Sequence, residues 1–86
     1  MIVHVGSVLH GYTGGRAEVE AGGETVGAVL QDLERRFPGI VFRVIDEQGR
    51  LRPHMRLFVG TESVQDLSRR VRGKDELSIL GALSGG

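Results

Sequence analysis

Between Thr25 and Phe37 the apolar residues Val26, Val29, Leu30, Leu33 and Phe37 fall at the i, i+3, i+4, i+7 and i+11 spacing that lays them along one face of an α-helix. Thr25 stands where a hydroxyl can cap the first turn. Phe37-Pro38-Gly39 ends the helix, because proline disfavours α dihedrals in the residue before it. Gln31, Asp32, Glu34, Arg35 and Arg36 take the opposite face, which reads as solvated. A single three-turn helix cannot bury its apolar stripe alone, so the rest of the chain must supply a sheet for it to lie on.

The flanking segments have the two-residue period of strands. Val3 and Val5 alternate with His4 and Gly6, and the strand is expected to run on toward Leu9. His10 to Gly15 is a glycine-rich loop, after which Ala17, Val19 and Ala21 alternate with Arg16, Glu18 and Glu20 as the second arm of a hairpin. Met55, Leu57 and Val59 are expected to face the helix. That parity turns Arg56 and Phe58 to the other side, beside Ser78 and Leu80 of a last strand in which Leu77 and Ile79 point inward. Asp46 to Gly49 is a turn, and Ile40 to Ile45 is too short and too uniformly apolar to assign by period. The order predicts an α+β domain over residues 1–80, a mixed sheet of four to five strands packed on one main helix, followed by a flexible tail over 81–86. With 86 residues, 40% apolar but only 5% aromatic, the core must be aliphatic.

Composition excludes several kinds of chemistry. The chain has no cysteine, so disulfides, cysteine-ligated metals and a persulfide on its own thiol are ruled out. Eleven basic residues balance eleven acidic ones, which argues against a general nucleic-acid binder. No phosphate-cradling glycine motif is present, and His4, His10 and His54 are scattered without metal-ligand or triad spacing, so no bound cofactor or metal is expected. The acids Glu18, Glu20, Asp32, Glu34, Asp46 and Glu47 are read as surface groups. Met1 to Leu9 lacks a basic leader and no stretch approaches the length of a membrane span, which makes the cytoplasm the expected location, with no membrane partner. Arg50, Arg52, His54 and Arg56 share one parity, and with Arg69, Arg70 and Arg72 they could make a basic surface around the root of the tail, although charges that merely solubilise a small domain are the plainer reading.

The C-terminal stretch GKDELSILGALSGG reads as a turn, a short strand and a run of small residues with one large side chain, Leu83. From Gly81 to Gly86 an extended tail spans about 20 Å. This ending resembles that of the ubiquitin-like sulfur carriers of the MoaD/ThiS type. ETVGAVLQDLERRFPGI, DEQGRLRPH and MRLFVGTESV resemble the family's helix, connecting loop and central strand in the same order. Gly60 departs from the pattern, where family members often carry Asn.

The resemblance implies a ubiquitin-like β-grasp fold and a protein cosubstrate, or the small subunit of a sulfur-transferring synthase, in place of an enzyme. Its Gly86 carboxylate would be adenylated by an ubiquitin-activating-type enzyme that uses ATP, then converted by a sulfur donor to a thiocarboxylate. Gly85, Ser84 and Leu83 would thread the tail into that enzyme. A sulfur-accepting enzyme of molybdopterin, thiamin, cysteine or thiolated tRNA synthesis would follow. From strand parity, Phe58 and Leu80, flanked by Arg56, are expected to dock the activating enzyme. A protein modifier joined through Gly86 to lysines and a plain interaction module are the competing readings. Lys74 is the chain's only lysine.

Overall fold

A computed structural model describes residues 1–81. The elements follow as β1 (Ile2–Val5), a 3-10 turn (Ser7–Leu9), β2 (Glu18–Glu20), α1 (Val26–Arg36), α2 (Ile40–Val44), β3 (Met55–Val59), β4 (Glu62–Val64) and β5 (Glu76–Gly81). The five strands form one mixed sheet in the order β2-β1-β5-β3-β4. β5 lies in the middle, parallel to β1 and antiparallel to β3. This is the ubiquitin-like β-grasp arrangement, with α1 packed across one face.

The core is aliphatic because the inward strand positions and the helix stripe meet there. Val3, Leu57, Leu77 and Ile79 from the sheet and Val26, Val29 and Leu33 from α1 are fully buried. The Thr25 hydroxyl accepts the Ala28 N–H at 3.1 Å and caps α1 as expected. At the other end Phe37 closes the last turn through its N–H to the Leu33 carbonyl.

Two local expectations are corrected, and three further details are filled in. The first strand stops at Val5, because Gly6 and Leu9 close a tight turn through the Leu9 N–H to the Gly6 carbonyl at 2.9 Å. Ala17 is exposed and outside β2, which pairs with β1 only over Glu18 to Glu20. Residues 40–45, unassigned by period, form α2 and the buried Ile45 after it. A fifth strand, β4, pairs with β3 through a two-residue turn, Gly60-Thr61. Gly60 sits at φ +60°, a left-handed conformation in which asparagine is also tolerated, so its departure from the family pattern leaves the turn intact. Gly81 belongs to β5, paired with Met55, so the last strand runs one residue beyond Leu80.

The polar face of α1 is not simply solvated. Asp32 is only 6% exposed. Its carboxylate accepts the Gly22 N–H at 2.9 Å and the Arg36 Nε–H at 3.1 Å, and it pairs with Arg35. The Gly22 N–H, the Arg36 hydrogen bond and the two guanidinium charges hold its pKa below the ordinary 3.8, against the opposing effect of burial. Glu34 accepts the N–H groups of Gly39 and Val41 at 2.8 and 3.1 Å and so fastens the start of α2 to α1. Among the described residues no helix is long and apolar enough to cross a membrane.

Candidate functional site

β5 is the element that connects the core to the C-terminal residues, and its alternation sets what each face shows. Leu77 and Ile79 are buried against α1, whereas Leu80 is 41% exposed on the opposite, uncovered face of the sheet. Arg56 stands directly across from Leu80, and Phe58 from Ser78, as strand parity predicts. Phe58 is half-buried rather than free in solvent, lying between its cross-strand partners Ser78 and Ser63. The Arg56 guanidinium donates through Nη1 to the Pro53 carbonyl at 2.7 Å and the Met55 carbonyl at 2.9 Å, which orients it along the rim of the patch.

The same face carries a second polar group. His4 Nε2 is bonded to Glu76, and its Nδ1 lies 3.5 Å from Glu18. His10 Nε2 is bonded to the Val5 carbonyl at 2.9 Å, so both histidines have structural partners. Among the described residues no cluster of three or more His, Asp or Glu side chains has the arrangement to hold a metal ion.

The expected basic surface divides in two. Arg52 and His54 line a hollow of ≈ 350 Å³ beside Gly81, and Arg52 also lines, with Arg50 and Arg56, a neighbouring hollow of ≈ 590 Å³ bordered by Asp66, Leu67 and Ser68. The Ser68 hydroxyl and N–H hold Asp66 below its ordinary pKa. Arg69, Arg70 and Arg72 are at the other end of the sheet, where β5 begins. Arg69 O accepts the Val26 N–H at the start of α1, and Arg69 and Arg70 are paired with Glu62 and Glu24. Spacing along the sequence could not show that the connection between β4 and β5 carries these arginines back to the starting end.

Sequence reasoning also missed the surroundings of Gly81 on the helix-covered side. A Cβ added to Gly81 would lie 2.5 Å from Val8 Cγ2, so any larger residue there would push the Val8 side chain of the 3-10 turn aside. Val8 is 41% exposed, and next to it Phe42 of α2 is 60% exposed beneath the Arg52 guanidinium, 4.7 Å from the ring centroid. The signal for Phe42 lay in the segment whose period was too short to read. Gly86, Gly85, Ser84 and Leu83, the expected reactive terminus and tail, lie outside the described residues.

Comparison with known proteins gives a consistent picture. The ThiS family model matches residues 7–86. Sulfur carrier protein CysO of Mycobacterium tuberculosis is 35% identical, over 98% of this chain and 96% of its own. The chain matches, with a TM-score of 0.91 and 35% identity, a chain in the crystal structure of the Amycolatopsis orientalis BexX/CysO complex, covering 99% of this chain and 98% of that one. It also resembles small archaeal modifier protein 1 of Haloferax volcanii, at a TM-score of 0.77 and 26% identity over 96% of this chain and 97% of that one.

Proposed function

The chain belongs to the ThiS family and is a sulfur carrier, and from that premise we propose that Gly86 is the atom-transferring end, activated by an ATP-dependent adenylating enzyme. A Gly86 carboxylate oxygen attacks the α-phosphorus of ATP and pyrophosphate leaves. Hydrosulfide, or a donor equivalent to it, then attacks the acyl carbon, and AMP departs with that oxygen. The product is a thiocarboxylate, formed without any redox change. This chain supplies the acyl group and the surface that positions it; a sulfur-accepting biosynthetic enzyme takes the sulfur.

The observation that carries this reading is the kinship with CysO over nearly the whole chain, joined to a central strand that leads from the core straight to Leu80 and Gly81. That a related CysO is found in a complex with BexX supports a protein partner for this chain too. We assign the activating enzyme to the uncovered sheet face, where Phe58 and Leu80 offer apolar contact and Arg56 a cationic rim. The test is the intact mass of the chain after incubation with ATP, sulfide and cell extract. The expected result is a gain equal to sulfur replacing oxygen, abolished by an uncleavable residue added after Gly86. Full sulfur gain by the extended chain overturns the assignment to Gly86. Likeness to a small archaeal modifier protein favours a second reading, conjugation of Gly86 to lysine amines, which the same spectrum would report as an added protein mass.

A further inference from the structure

The uncovered sheet face is not the only apolar ground beside the root of the tail. Gly81 has the same parity as Leu77 and Ile79, so it turns toward the helix-covered side while Leu80 turns away from it. There, Val8 and the strongly exposed Phe42 flank a hollow floored by Leu9 and Met55. Its rim holds the Arg43 and Arg52 guanidiniums and the His54 imidazole against one carboxylate, Glu47. Arg43 and Arg52 form no ion pair among the described residues, whereas Arg69 and Arg70 at the far end of the sheet are paired. Arg52 is also held in place, its Nε–H donating to the Phe42 carbonyl at 2.7 Å.

An apolar centre inside a rim where two guanidiniums and an imidazole face one lining carboxylate, with Asp46 near Arg52 behind it, is complementary to an apolar side chain set among carboxylates. Its location limits what can occupy it. Five residues follow Gly81, ending in Gly86, a reach of about 17 Å at full extension, so any enzyme that takes the terminal carboxyl into its active site must stand over the surface around Gly81. The Phe58–Leu80 patch and the Val8–Phe42 notch lie on opposite sides of the sheet. A carrier whose tail is taken in turn by an activating enzyme and by an acceptor needs two such contacts or one shared contact.

The geometry points to a second docking surface: the notch of Val8 and Phe42, rimmed by Arg43 and Arg52, receives a partner enzyme that presents an apolar residue in an acidic setting, apart from the activating enzyme on the uncovered face. This rests on the proposed sulfur-carrier chemistry. Amycolatopsis orientalis BexX is the probe, because a related CysO is found in complex with it. Affinity for BexX is measured by calorimetry at low and high salt for the full chain and its Phe42→Ala, Arg43→Glu and Phe58→Ala variants. The rate of ATP-dependent sulfur gain in cell extract is followed for each by intact mass.

Phe42→Ala and Arg43→Glu are each expected to weaken BexX binding at least tenfold, with the Arg43→Glu loss shrinking at high salt, while sulfur gain proceeds at the parental rate. Phe58→Ala should give the opposite pattern. Absence of binding by the parent chain, less than a threefold change in either notch variant, or equal loss of binding and sulfur gain overturns the proposal. Circular dichroism and thermal melts of each variant identify any loss due to unfolding, and Arg43→Gln, which removes the charge without reversing it, should lie between parent and Arg43→Glu. A parent chain that binds BexX through the notch but never gains sulfur removes the carrier chemistry and leaves the docking surface standing.

Discussion

The two faces of β5 differ more than their shared backbone suggests. Leu77 and Ile79 have no exposed surface, while Leu80, one residue on, is 41% exposed and shares its face with the half-buried Phe58. One face closes the core and the other remains available to a partner. Because strand side chains alternate with period two, burial and the proposed docking fall to neighbouring residues, and a slip of one residue in register would exchange them.

The largest expected effect is on the covered face. Leu57→Ala removes a fully buried side chain opposite Ile79 and should cost about 2 to 5 kcal/mol of folding stability, read from urea unfolding. A loss under about 1 kcal/mol would mean that the two faces are less distinct than their burial indicates. Phe58→Ala on the uncovered face should instead weaken the complex with the activating enzyme by about 2 kcal/mol, about thirtyfold in affinity. Its folding cost should be smaller than that of Leu57→Ala, and a larger one would place Phe58 functionally in the core.

Thr25→Ala tests whether the helix lid over the covered face depends on its cap. It should lower stability by about 1 kcal/mol with no change in partner binding. The smallest effect is a pH dependence. Since folding lowers the Asp32 pKa, the stabilisation by its carboxylate is complete above 3.8 and is lost as the pH falls through the lower folded-state value. Denaturation midpoints of Asp32→Asn should therefore be reduced near neutrality and converge on those of the parent in acid. A constant difference at every pH would show that Asp32 acts by packing alone.

Much of this contrast is legible in the sequence where the period is long. Eleven residues of helix fix the covered face of α1, and five of β3 fix the parity of Phe58. The five residues of α2 and the three of β4 are too few for a period to stand out, so the placement of Phe42 and the bounds of β4 were not legible. Asp32 has the spacing of a solvated i, i+4 pair with Arg36; its burial comes from the loop at Gly22 folding over it, a contact across ten residues. The parity of Arg50 to Arg56 is local information. The placement of Arg69 to Arg72 depends on where the chain travels after β4, and charge alone carries no such direction. The kinship with sulfur carriers was legible from the last fourteen residues, although only those up to Gly81 are described structurally.

The central position of β5 also determines when the molecule comes into being. Ile2 pairs with Glu76 and Val5 with Ile79, so β1 acquires its inner neighbour only after almost the whole chain has been synthesised. In the finished sheet β5 fills the inner edges of two hairpins, β1–β2 and β3–β4. Joining them requires contacts between distant parts of the sequence, the kind of pairing that slows folding and lengthens the exposure of strand edges. A nascent or truncated chain that lacks β5 therefore has no completed sheet face on which an enzyme can dock.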